Sequence, residues 1–272
     1  MKNRIILYFM LLFIAHNQAQ EQKTMTLPRL RLGIEVGMNV LPGKINKPDL
    51  IRENQSYYRD VDDDFYCGFI PEDREFVFFN FGIKPEYSLN KRFAVAAGLR
   101  FNFNQVVLNS DKNYFLWKVS ENETTANYVK IETISQKNYF VGIPIEIRFF
   151  PNEKDYFVRH YFIIGTALNF CVASINEVEF QNPAMEKYSS NILTKIGKPT
   201  VFQGYLYGGI GLKIGKMHQP FGNVEVHLPV LMFGNNKPSS LVNIINGLGV
   251  GFRATLHIPI FAEHQLTYTV TD

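Results

Sequence analysis

Beyond its first residues the chain has no apolar run of eighteen, which excludes a transmembrane helix. It has two cysteines, Cys67 and Cys171, set far apart. That spacing suits neither a metal site nor the disulfide framework of a small secreted domain. An excess of charge of one sign is also missing. The formal net charge is +3, and losing Lys2 and Arg4 with a signal peptide leaves about +1. A balance so near zero argues against a nucleic-acid partner. Yet 46% of the residues are hydrophobic and 14% aromatic. With no apolar helix to absorb them, these side chains need another place to go.

The N-terminus reads as an export signal. Lys2 and Arg4 precede the apolar run "IILYFMLLFIA", and "HNQAQ" then offers Ala19 at a cleavage point. The run is shorter than the ~20 residues that span a bilayer, and no cysteine follows it as a lipoprotein signal requires. The expected organisation is a cleaved signal at 1–19, a periplasmic segment at 20–29, a β-domain at 30–260 and a C-terminal tail at 261–272.

Period-two alternation recurs eight times after the signal, over Leu30–Val40, Phe76–Ser88, Phe93–Val106, Phe140–Phe150, Tyr161–Cys171, Phe202–Ile214, Asn223–Met232 and Asn246–Ile258. In "FVGIPIEIRFF" the row Val141, Ile143, Ile145, Ile147, Phe149 alternates with Gly142, Pro144, Glu146, Arg148. Each segment matches or exceeds the ~9–11 residues of a tilted strand crossing a hydrocarbon layer. Short turns ("LNKR", "PNEKD", "GKMHQP") alternate with long connections at 41–74, 107–137, 173–200 and 234–243. Outer-membrane barrels have this asymmetry, with short periplasmic turns and long external loops.

A soluble carrier barrel would turn its apolar row inward and coat its outside with charge. Here the polar rows are rich in Gly, Ala and Asn with single charges near mid-strand. Glycine weakens an exposed strand but suits a crowded interior. The pattern predicts an all-β, eight-stranded antiparallel up-and-down transmembrane β-barrel with Glu146 and Arg148 inside and Ile143, Ile145 and Ile147 facing lipid. A bulge is expected at Pro144, which lacks a ladder donor. Phe78, Phe79, Phe149, Phe150, Tyr156 and Phe157, near strand ends, are expected to form interfacial girdles. Cys171 falls on the inward row near the external rim, and whether it bonds Cys67 stays open.

The segments "LGIEVGMN", "VGIPIEIRFF", "IIGTALNF" and "YGGIGLKI" make the chain resemble the PorT-like outer-membrane β-barrel proteins of Gram-negative bacteria. The resemblance covers nearly all of the mature chain. It implies one eight-stranded barrel in the outer membrane of a Gram-negative bacterium, and one member type is tied to protein secretion. It brings no catalytic residues. Many such barrels end on an aromatic residue, whereas this chain continues through "FAEHQLTYTVTD".

Candidate chemistry is sparse. His160, His218, His227, His257 and His264 remain in the mature chain, and only His227, two residues from Glu225, sits mid-strand with an acid on its face. No serine accompanies it on that strand, so hydrolytic catalysis is not expected. "DVDDDF" at 60–65 lacks the glycine and distal glutamate of a calcium loop and reads as a solvated acidic loop. The sequon at Asn122 carries little weight in a bacterium. No catalytic, metal or cofactor site is expected. The inward rows carry Glu35, Glu86, Glu146 and Glu225 against Lys84, Arg100, Arg148, Lys213 and Arg253. Buried charges persist only when paired, so these nine should form an ion-pair network that plugs the lumen. Glu35–Arg253 is expected across the closing seam and Arg100–Glu146 between neighbouring strands. The expected function is a non-enzymatic outer-membrane barrel. Its surroundings would be outer-membrane lipid, and its external loops would meet envelope or secretion proteins. The alternatives are a small transport pore and a lipid-modifying enzyme.

Overall fold

The computed structural model describes residues 22–52, 73–109, 114–119, 128–234, 237–244 and 249–271, with only the backbone path for 22–28, 52, 73–75, 234 and 261–271. The signal segment, the acidic stretch at 60–65, Cys67 and Asn122 lie outside the described residues.

The chain is all-β. In chain order the strands are β1 (Gln22–Ile45), β2 (Ile51–Arg52), β3 (Asp73–Ser88), β4 (Phe93–Ala97), β5 (Leu99–Asn109), β6 (Phe115–Lys118), β7 (Tyr128–Phe149) and β8 (Val158–Phe180). After a 3-10 turn (Pro183–Tyr188) and helix α1 (Ser189–Lys195) come β9 (Phe202–Ile214), β10 (Phe221–Gly234), β11 (Val242–Ile244) and β12 (Gly249–Thr271). All pairings are antiparallel. They run β1-β12-β10-β9-β8-β7, then through the collinear pair β4/β5 to β3 and back to β1. The hydrogen bonds therefore ring through eight strands. Beyond the ring, β6 and β2 extend the β7 side and β11 pairs β1.

Several strands outrun the sequence pattern. β1 starts at Gln22 and β12 ends at Thr271, with Gln22 opposite Thr271. Within the expected periplasmic segment and C-terminal tail, Gln22–Pro28 thus pair with Gln265–Thr271 and continue the ladder. β7 and β8 stay paired beyond the ring, from Tyr139↔Ala173 out to Ile131↔Phe180. Much of the long connections is therefore folded. Pro144 produces no bulge. Its register with β8 is continuous, and the interruption falls on the neighbouring strand, at Gly98 between β4 and β5. There the missing proline N–H has no rung to break, and Gly98 N donates to Pro144 O at 3.3 Å.

Alternation sorts the side chains. Ile34, Val36, Phe81, Ile83, Leu99, Ile143, Ile145, Ile147, Ile164, Ile210, Val224, Phe252 and Leu256 are exposed on the outside of the ring. Their alternate neighbours are buried, and these touch one another from opposite strands, so they fill the inside. An eight-strand ring is just wide enough for side chains to fill.

Aromatic side chains gather at two levels of the outer face. Phe149 packs on Phe93 and Phe162 at the short-turn end. Phe103 packs on Tyr139 and Phe170 on Phe202 toward the long-loop end. Phe79 and Phe157 are exposed, but Phe78 and Phe150, expected in the girdles, point inward and are buried. Phe78 shares its parity with Asn80, and inside it meets the Tyr205 ring edge-on at 5.6 Å. Tyr156 is half-buried.

Candidate functional site

The interior is stratified. At the long-loop end it is apolar: Leu41, Phe78, Leu108, Trp117, Ile131 and Ile134 are buried together, with Ile192 and Ile196 of the α1 region among them. Below lies a layer of amides. Asn102 Nδ2 donates to Asn169 Oδ1 at 2.9 Å, Asn138 Nδ2 to Asn104 Oδ1 at 2.9 Å, and Ser174 Oγ to Asn138 Oδ1 at 2.7 Å. Below that is the ionic layer, and the short-turn end is closed by turn residues.

The ionic layer centres on Glu146. Lys84 Nζ lies 2.6 Å from its carboxylate, Arg148 3.3 Å and Arg100 3.5 Å, and Arg253 and Tyr207 bond it as well. Arg148 bridges Glu86 and Glu225 and reaches His257 Nε2 at 3.1 Å. Glu35 takes Arg100 at 2.6 Å and Lys84 at 2.8 Å. These charges are at most 3% exposed.

Both expected pairs form, but they are the longer contacts of the network. Glu35–Arg253 is a loose contact of 3.7 Å and Arg100–Glu146 one of 3.5 Å. The close pairs are Arg100–Glu35 and Arg253–Glu146. Register explains the first. Glu35 on β1 is opposite Gly82 on β3, which is opposite Arg100 on β5. With no side chain at the middle of this rung, the two outer ones meet over it.

The same device recurs twice. Glu146, Gly165 and Tyr207 share a rung across β7, β8 and β9, and Tyr207 Oη donates to Glu146 Oε1 at 2.6 Å. Tyr161, Gly211 and Glu225 share one across β8, β9 and β10, and Tyr161 Oη donates to Glu225 Oε1 at 2.7 Å. A Cβ on Gly211 would sit 2.3 Å from Tyr161 Cζ, and one on Gly165 2.8 Å from Tyr207 Cε2. The glycines are the gaps through which the network connects.

Lys213 stands apart. It pairs with Asp155, from the β7–β8 turn, whose Oδ2 also accepts from Met217 N at 3.0 Å in the β9–β10 turn. That ties two short turns together at the end of the ring. Arg159 donates to Asn152 O and, at 2.7 Å, to Lys91 O. Arg31, Asp155, Arg159, Tyr161 and Tyr207 were not among the residues the sequence suggested. Arg31 bonds Glu86 at 2.9 Å and Ser88 Oγ at 2.7 Å. Parity carried a signal for Tyr161 and Tyr207, since each shares its row with inward glycines or polar residues. Asp155 sits in a turn, where strand parity says nothing.

His227 Nε2 lies 3.2 Å from Glu225 Oε2, and its ring packs on Tyr207. The residue is 1% exposed. His257 is equally buried, stacked on Phe221 and bonded to Asn223. Cys171, on the inward row just before the β8 bulge, is half-buried. Among the described residues no group of three or more His, Cys, Asp or Glu side chains is placed to hold a metal ion. No family model matches the chain, and no curated protein matches it.

Proposed function

We propose that this chain is a PorT-like β-barrel of a Gram-negative outer membrane, non-enzymatic and closed, whose long loops serve as its binding surface for envelope or secretion partners. The observation that carries this reading is the inversion of polarity across the ring: isoleucine, valine and phenylalanine outside, ion pairs and amides inside. A ring of this kind in water would expose a continuous apolar belt far larger than a soluble monomer tolerates.

The aromatic levels support a membrane. Phe149 and Tyr139 are about ten residues apart on β7. At ~3.3 Å per residue and ~40° of tilt that span is roughly 25 Å of height, the thickness of the apolar band of outer-membrane barrels. The closed interior argues against a pore. Opposite charges interlock there, whereas a selective channel carries a ring of one sign around water. The 0–3% exposure of Glu146, Arg148 and their partners supports a filled interior. The remaining differentiated surface is the long-loop end.

The test has two readouts on the full mature chain folded in detergent and then in a planar bilayer. Unheated protein should migrate faster in a detergent gel than boiled protein, and the bilayer should show no steady conductance. Absence of the gel shift would remove the barrel, and steady ion flow would replace the closed interior with a pore.

A further inference from the structure

β7 and β8 run on past the ring as a hairpin, and one side of that hairpin is open. β9 follows β8 only as far as Phe170↔Phe202, and a last bond runs from Cys171 N to Val201 O at 2.8 Å. From Ala173 to Phe180, β8 is paired on its β7 side alone. Among the described residues no hydrogen bond reaches its other edge. Gln181 N donates to Lys130 O on the β7 side at 3.4 Å. By alternation, the N–H and C=O groups of Phe180, Val178, Asn176 and Ser174 therefore point to the open side. The far margin of this outer sheet is short, since β6 and then the two-residue β2 follow β7. A long edge of unpaired backbone groups is a template for another strand.

The side chains along this edge say what kind of strand fits. Val178 and Phe180 are half-buried against the apolar layer that includes Ile192 of α1. Ile175, Glu177 and Glu179 alternate with them and are exposed. Glu177 pairs with Lys137 at 2.7 Å, whereas Glu179 accepts from the Thr133 hydroxyl at 2.8 Å. These two carboxylates are the only charges on β8 between Ala173 and Phe180. A second copy fits badly. Antiparallel pairing of two such edges about Val178 would set Glu177 opposite Glu179, and like charges directly opposite are destabilising. A strand with bases at those positions meets the opposite situation.

We propose that the open edge of β8, Ala173–Phe180, takes an extended basic segment of a partner protein as an added antiparallel strand. Main-chain hydrogen bonds supply the affinity in such an addition, and alternate side chains supply the selectivity. Basic side chains stand beside Glu177 and Glu179, and apolar ones between them continue the face of Val178 and Phe180. This pairing rests on the reading of the long-loop end as the binding surface, while the edge itself does not depend on the membrane.

The probe is a fluorescent peptide of alternating lysine and valine, about ten residues long, added to the folded mature protein in a non-ionic detergent and followed by anisotropy. The gel shift is read first on the same sample, so a failed barrel and a failed edge are told apart. The wild type should bind the peptide saturably, and its glutamate–valine counterpart about tenfold less tightly. N-methylation at the valines, whose N–H groups would face β8, should abolish binding. N-methylation at the lysines, whose N–H groups would face solvent, should leave it intact. Glu177→Lys/Glu179→Lys should lose about tenfold in affinity for the lysine peptide. The same variant should gain affinity for the glutamate peptide, which damaged folding cannot mimic. Absence of binding by the wild type, or equal losses from the two methylations, overturns the proposal. A dimer of the protein that excludes the peptide would give the edge to a second copy and overturn it as well.

Discussion

Arg100 donates to Glu35 at 2.6 Å across a rung whose middle residue is Gly82. The two charges come from strands that are not neighbours, and the glycine lets them touch. Removing one partner of a buried pair leaves the other charge stranded, at a cost of ~3–5 kcal/mol. Glu35→Ala and Arg100→Ala should each lower the urea midpoint of the detergent-folded protein. In a double-mutant cycle their coupling should sit near the top of the ~0.5–3 kcal/mol range for contacting residues. The Glu35–Arg253 coupling should be clearly smaller, because those groups are 3.7 Å apart. Equal couplings would mean that the close pairs are assigned wrongly.

Gly211→Ala tests the rung device by sterics instead of charge. The three atoms nearest an added Cβ all belong to the Tyr161 side chain, at 2.3 to 2.7 Å. The substitution should be destabilising by about 1–3 kcal/mol, the usual cost of overpacking. In a Tyr161→Ala background the same substitution should cost little. A penalty unchanged between the two backgrounds would show that Tyr161 does not occupy the gap.

Trp117, the chain's one tryptophan, is fully buried in the apolar layer at the long-loop end. Its emission should be blue-shifted in the folded protein, shielded from iodide, and should move to the red on unfolding. Trp117→Ala should cost ~3–5 kcal/mol, as large-to-small changes in cores do. Red emission that iodide quenches would place water in the apolar layer around Trp117.

Asp155→Asn should loosen the short-turn end, since its carboxylate holds both Lys213 and the Met217 N–H. Limited proteolysis at the β9–β10 turn should become faster, with the ring otherwise intact. Unchanged cleavage there would remove Asp155 as the clasp.

The parity of the strands was legible in the sequence. The alternation that separates Ile143, Ile145 and Ile147 from Glu146 and Arg148 is the alternation of exposed and buried side chains in β7. Who bonds whom was not legible, because that depends on register across three strands and on which middle residue is glycine. Glu35 and Arg253 lie beside the same seam, yet their close partners lie elsewhere. The girdle assignment failed at Phe78 and Phe150 for a related reason. Proximity to a strand end suggested an interface, while parity with Asn80 and Arg148 placed both rings inside. The apolar layer escaped notice because its members come partly from Trp117, Ile131 and Ile192, in connections where period-two alternation had not been sought.

The central claim is that the outward row of the ring faces lipid, and nitroxide accessibility along β7 tests it most directly. With both native cysteines changed to serine, single labels at Ile143, Ile145 and Ile147 in liposomes should collide freely with oxygen and hardly with a water-soluble nickel complex. A label at Lys137, beyond the upper aromatic level, should show the reverse preference. Strong nickel collisions at all three isoleucine positions would put that face in water and contradict the account.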